Sequence, residues 1–210
     1  MSSPLVPPRF GTDGLRGKAG EPPLDPPTLR RVGAALGVFV QGEGPGHKRV
    51  LLGNDGRASA PWIQDALVQG LAAAEVSTID LGLVTTPALA YLTRVEPVVA
   101  GIMISASHNP AEDNGVKIFS HDGAKLPDAA EREIERLTAL VDFDATHEPR
   151  CKPRRELIHR YEECLANRFQ SLDLRGVRLV VDAANGGASE LAPAFLRRLG
   201  AIEGAHAIDR

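Results

Sequence analysis

Cysteine is almost missing from this chain, with two residues in 210, Cys151 and Cys164. Two thiols cannot make a disulfide scaffold, and free thiols fit a reducing compartment. Aromatic residues are scarce too, at 4%, which leaves little for the stacking platforms of single-strand nucleic-acid binders. There is no cationic excess. The formal net charge is −3, so no basic footprint points to nucleic acid or to an anionic membrane surface. No apolar run approaches the length needed to cross a bilayer, and no charged-then-apolar secretory signal opens the sequence. None of the six histidines stands at zinc-site spacing from another ligand. No internal repeat or low-complexity tract occurs. These absences give the expectation of a soluble, cytoplasmic protein with neither a nucleic-acid nor a membrane partner.

The chain does contain enough apolar residues, 43%, for a true core. Its length fits one or two domains. Asp25-Pro26-Pro27 is a helix start, with an N-cap candidate ahead of proline. Leu29, Val32, Leu36 and Phe39 then recur at helical spacing. Further helices are predicted from Pro61, from Thr86-Pro87, over Pro127 to Val141, around Leu157 to Phe169, and from Ser189 to Leu199. Strands are predicted at Arg49–Gly53, Ser77–Leu81, Val98–Ile104 and Val177–Asp182. Strand and helix alternate, which favours a layered α/β fold with its loops at the carboxyl ends of strands. The polar, proline-containing stretch Asp142 to Arg155 reads as a linker. It separates a first domain, 1–150, from the start of a second, 151–210.

The chemistry concentrates in Gly101 to Phe119. A buried strand ends abruptly in Ser105, Ser107, His108 and Asn109, and Pro110 prevents its continuation. Asn114-Gly115 reads as a turn dipeptide. Val116 and Ile118 then alternate with Lys117 and Phe119, as in a half-buried strand. A polar loop between two strands can bring Ser107 and Lys117 together. A phosphorylated serine there would carry about −1.5 to −2 charges and need cations and N–H donors around it. The residues alone also fit an ordinary strand-ending turn, since Ser, Asn and Pro are turn formers. A Ser-His hydrolase fits less well. Sequence neighbours rarely aim one side chain at the other, and no G-x-S-x-G elbow is present.

Three glycines, Gly11, Gly14 and Gly17, surround Thr12, Asp13 and Arg16. They allow close backbone approach to a ligand, and Arg16 offers a planar fork for phosphate oxygens. A solvated surface turn is the plainer alternative. Asn54-Asp55-Gly56-Arg57 is a polar loop after a strand, in which Asp55 and Arg57 shape or border a site. Asn185-Gly186-Gly187 is either an anion-holding turn or a tight strand-to-helix connection.

SASHNP at Ser105–Pro110, followed by DNGVK at Asp113–Lys117, resembles the phosphoserine signature of the α-D-phosphohexomutases. Within them the likeness is to the bacterial phosphoglucosamine mutases. FGTDGLRG at Phe10–Gly17, TPALAYLTR ending at Arg94, DGAKLPD at Asp122–Asp128 and VVDAANGGA at Val180–Ala188 agree, in family order. The resemblance implies a layered α/β/α phosphohexomutase domain I followed by an incomplete second α/β domain. It also implies a phosphosugar mutase interconverting glucosamine 6-phosphate and glucosamine 1-phosphate through a phosphoserine and a bisphosphosugar. Ser107 would carry the phosphate, Arg16 and Lys117 would attend the transferred group, and His108 would orient it. The implied cofactor is Mg²⁺, with the phosphate on Ser107 as one ligand; the family's aspartate metal loop would lie beyond residue 210. The implied partners are a phosphorylated hexosamine and its bisphosphate. On this basis the chain alone is expected to be inactive or nearly so. Two other readings stay open. One is a non-catalytic, phosphosugar-binding remnant. The other is a relative of different sugar preference, a phosphomannomutase or phosphoglucomutase.

Overall fold

In a computed structural model of the protein, residues 8–42, 48–141 and 151–201 are described. Leu15–Lys18 (β1), Arg49–Asn54 (β2), Ser77–Leu83 (β3), Ala100–Ile104 (β4), Asp113–Ser120 (β5) and Cys151–Pro153 (β6) make one six-stranded sheet. Its order is β1-β5-β4-β2-β3-β6. Strands β2, β3, β4 and β6 run parallel, and β5 is antiparallel to both β4 and β1.

Among the described residues, six α-helices accompany these strands: Pro26–Gln41 (α1), Ala60–Ala73 (α2), Thr86–Val95 (α3), Asp128–Leu140 (α4), Ile158–Arg168 (α5) and Leu191–Arg198 (α6). The Asp25 carboxylate accepts the Thr28 N–H at 3.3 Å and starts α1, as its proline-following sequence predicts. Thr85 caps α3 in the same way, through the Ala88 N–H.

Side-chain alternation along the strands divides the core in two. Val50, Leu52, Ile102, Ile104, Val116 and Ile118 face α1, α2 and α4, meeting Leu29, Val32, Ile63, Leu67 and Ile134. Leu51, Ile79, Leu81, Met103 and Phe119 face the other way, onto Ala88, Leu89 and Leu92 of α3. Parallel strands buried on both faces read as unbroken apolar runs, and β4 is buried at every position. Full burial of one such leucine contributes about 1.5–3 kcal/mol. The result is the expected α/β/α layering.

Several local expectations are corrected. Asn114-Gly115 is not a turn but lies inside β5, opposite Gly17 and Arg16 of β1. Asn114 is fully buried there, and its Nδ2 donates to Ser59 Oγ at 2.8 Å, so a turn-forming residue is held extended by a specific partner. Val177–Asp182 does not form a strand. Among the described residues no neighbouring strand takes up its N–H and C=O groups, and Val180 remains 80% exposed. The stretch expected to link two domains is, from Cys151, an edge strand parallel to β3 and then a short 3₁₀ turn over Arg155–Leu157. Residues 142–150 of that stretch lie outside the described residues. The last helix starts at Leu191 rather than Ser189.

Candidate active site

Three loops leave the carboxyl ends of adjacent parallel strands β2, β3 and β4, where open α/β sheets place their ligands. They line a cleft of about 650 Å³ together with residues 183–188. Asp55 and Arg57 come from the first loop, Thr85 from the second, and Ser105, Ser107 and His108 from the third.

The serine loop is held by its backbone. Ser105 N–H donates to Gly115 O at 2.9 Å, and Ser105 Oγ accepts the Ser107 N–H at 3.0 Å. Ser107 itself has φ +59°, left-handed and uncommon for a residue with a Cβ. Such a conformation persists only where surroundings impose it, and functional sites are where it concentrates. It presents Ser107 at the exposed surface of the loop with Oγ 3.3 Å from His108 Nδ1. Ser107 and His108 thus touch despite being sequence neighbours, because the left-handed turn swings the two side chains to one side.

Arg16 lies on β1, which pairs with β5 beyond the loop. Its Nη1 donates to Asn109 Oδ1 at 3.2 Å and lies 3.4 Å from Ala106 O, while Nη2 meets Asp13 Oδ2 at 3.1 Å. Its Nε is buried with no partner among the described residues. Lys117, on β5, puts its ammonium 3.7 Å from Asp13 Oδ1. The structure thus brings Ser107 and His108 into contact and ties Arg16 to the same loop. It joins Lys117 to Arg16 through Asp13 rather than directly to the serine.

Gly14 permits this arrangement. It has φ +87°, and a Cβ there would stand 2.3 Å from Val116 O. The glycine-rich segment therefore runs against β5 with no room for a side chain.

Sequence reasoning left Arg57 to shape its loop or to border the site. In the structure its guanidinium donates to the carbonyls of Ser107, Asn109, Pro110 and Asp113, at 3.0, 2.8, 2.5 and 2.9 Å. A lone arginine in an Asn-Asp-Gly-Arg turn carries no signal for these partners, which are carbonyls fifty or more positions away.

The far wall of the cleft, 183–188, includes Ala184 and Asn185 at φ +46° and +53°. A Cβ on Gly187 would stand 2.3 Å from Val84 O, so this turn packs directly against the β3 loop. Close packing accounts for Gly187 without an anion.

Among the described residues, no three His, Cys, Asp or Glu side chains gather into a set that could hold a metal ion. The described residues thus supply no side-chain set that fits the implied Mg²⁺. No helix among the described residues is long and apolar enough to cross a membrane.

Residues 7–145 match the family described as phosphoglucomutase/phosphomannomutase, alpha/beta/alpha domain I. The chain belongs to this family. The likeness extends past these residues. Phosphoglucosamine mutase from Halorhodospira halophila is 44% identical over 199 residues, covering 91% of the chain and 43% of that protein. The enzyme of the same name from Thiobacillus denitrificans is 44% identical over 200 residues, covering 91% and 44%. Among solved structures, a phosphoglucomutase/phosphomannomutase family protein from Burkholderia thailandensis superposes with a TM-score of 0.74 at 28% identity. That superposition covers 96% of the chain and 43% of that structure. The chain thus spans less than half the length of the relatives it matches.

Proposed function

We propose that this chain carries the phosphoryl-bearing part of a phosphosugar mutase, with Ser107 as the phosphate carrier and glucosamine 6-phosphate and glucosamine 1-phosphate as the sugars exchanged. The first 150 residues, with β6 added at the edge of their sheet, form the unit that holds the phosphoserine, and the residues after it begin a second. The observation that carries the reading is the exposed Ser107, held left-handed at the mouth of the cleft with its Oγ against His108. The likeness to phosphoglucosamine mutases supports the choice of sugar.

In the first half-reaction the Ser107 Oγ–P bond breaks and a bond forms from phosphorus to the free sugar hydroxyl. That hydroxyl loses its proton, and Ser107 Oγ regains one. The product is a bisphosphorylated sugar, which turns over and returns its other phosphate by the reverse steps. Phosphoryl transfer depends mainly on positioning and on neutralising charge. His108, 3.3 Å from Oγ, holds the serine hydroxyl and is placed to pass its proton. Arg16, with an unpartnered buried Nε, and Lys117 supply positive charge to the phosphoryl oxygens. No step here runs through a metal.

The test is phosphate uptake. The purified chain is incubated in Mg²⁺ buffer with a hexose bisphosphate, and its intact mass and phosphopeptides are measured. One phosphoryl group on Ser107, taken up without sustained sugar turnover and lost in Ser107→Ala, is the expected result; an unmodified chain refutes the reading. Phosphosugar binding without turnover is a second reading. It is favoured by the lack of a carboxylate set for a metal among the described residues. It predicts retention of the sugar with no phosphate exchanged.

A further inference from the structure

Arg57 spends its whole guanidinium on the serine loop and on one carboxylate. Nη1 donates to Pro110 O and Asp113 O, and Nη2 donates to Ser107 O and Asn109 O. Nε donates to Asp55 Oδ2 at 3.2 Å. Asp55 also accepts the Arg57 backbone N–H through Oδ1, at 3.3 Å. Both side chains are close to buried, at 14% and 15% exposure. The pair is anchored to the sheet, since Asp55 N–H donates to Ile104 O, the last residue of β4 before the loop. Asp55 therefore fixes Arg57, and Arg57 fixes the loop from Ser107 to Asp113.

This arrangement needs arginine. Five donors in one rigid plane can serve four carbonyls and a carboxylate together, whereas an ammonium offers three donors from a single point. It also sets where the loop's own donors point. In a trans peptide the C=O and the following N–H are antiparallel. With the Ser107 and Pro110 carbonyls turned onto Arg57, the N–H groups of His108 and Ala111 face away from it. Neither N–H has a partner among the described residues, and both residues line the cleft. Two free donors beside the serine suit an acceptor-rich group such as a phosphoryl.

We propose that Arg57, braced by Asp55, is the positioning residue that holds Ser107 in its left-handed conformation and turns the loop's amides toward an incoming phosphoryl group. The proposal rests on the reading of Ser107 as phosphate carrier. Arg57 touches the loop's carbonyls rather than the reacting atoms, so it acts through Ser107. Misplacing a reacting group by about 1 Å costs roughly 10²-fold in rate.

The experiment compares the full chain with Arg57→Lys, which keeps the charge and loses the fork, and with Arg57→Ala. Two quantities are read: the rate of phosphate uptake by Ser107 from a hexose bisphosphate, and amide hydrogen exchange across 105–113. The expected result is uptake slowed by roughly 10²-fold in Arg57→Lys at saturating donor, with little change in the donor concentration for half-maximal rate. Exchange should quicken in the loop and stay unchanged in β2 and β3. Millimolar guanidinium should restore part of the uptake in Arg57→Ala and none in Arg57→Lys. Wild-type uptake and exchange in Arg57→Lys overturn the proposal. If the unaltered chain takes up no phosphate, the phosphoserine reading fails instead. Loop exchange in Arg57→Lys then decides whether Arg57 sets the loop.

Discussion

Asp13 and Lys117 meet at 3.7 Å, and the other oxygen of the same carboxylate holds Arg16 at 3.1 Å. One carboxylate, itself 60% exposed, thereby occupies both cations assigned to the phosphoryl group. A phosphate arriving near them must compete with it. Asp13→Asn removes that competition while keeping the shape. One unit charge about 4 Å away is worth roughly 1 kcal/mol in a water-like medium, or about fivefold in affinity. Titration calorimetry should therefore show Asp13→Asn binding glucosamine 6-phosphate a few times more tightly. Weaker binding would mean that Asp13 orients the cations rather than competing for them.

Gly14 tests the packing that places Arg16. Alanine there meets a left-handed backbone and the Val116 carbonyl at 2.3 Å. The backbone term alone costs about 1–2 kcal/mol. For a chain of this size each kcal/mol lowers Tm by roughly 2–4 °C. Gly14→Ala should melt several degrees early in a thermal scan, with β1 exchanging its amides faster than β2. An unchanged Tm would show that the segment can lift off β5 at no cost.

Gly187 tests the opposite wall of the cleft. A methyl group there abuts the backbone at Val84, which cannot give way as a side chain tip can. Overpacking of this kind costs about 1–3 kcal/mol. Gly187→Ala should move the 183–188 turn away from the β3 loop and weaken glucosamine 6-phosphate binding severalfold. The titration of helices α1 and α2 with denaturant should change little. Equal affinity would remove that turn from the binding site.

Cys151 reports on the edge strand. Burial pushes its thiol above the ordinary cysteine value, a rise the Thr78 hydroxyl partly offsets. The raised value favours the neutral thiol in the folded state. Its stabilising effect is complete below about pH 8.5, the unfolded value, and is lost as pH climbs through the raised folded value. At pH 8, Cys151 should alkylate more slowly than an unstructured thiol, because the thiolate is the reactive form. Mass spectrometry of iodoacetamide-treated protein checks this. Reaction at the rate of a free peptide thiol would mean that β6 does not stay docked.

Most of the sheet and its helices could be read from the residues. Pro26, Pro61 and Pro87 mark the first turns of α1, α2 and α3, and the apolar run ending at Ile104 is β4. What escaped has a common cause, since pairing partners lie outside any local window. Leu15–Lys18 shows no alternation and is a strand only because β5 is beside it. Cys151–Pro153 ends in proline, which an edge position tolerates. Val177–Asp182 has the composition of a strand and no described neighbour to make it one. At the candidate site, the motif singled out Ser107, His108 and Arg16, and the structure brings them to one loop. Arg57 was singled out as shaping or bordering the site, but its partners were not legible, because they are backbone carbonyls, and any sequence supplies those.

The buried amide of Asn114, pinned to Ser59, has a further consequence for Lys117, three positions later. Sliding β5 by one residue against its neighbours would exchange its two faces. Asn114 would lose the hydroxyl that anchors it, Ile118 would leave the face packed on α1, α2 and α4, and the lysine would enter that face. The address of that ammonium is thus written in a remote amide–hydroxyl pair, and a mutation at Ser59 would be felt as a misplaced charge.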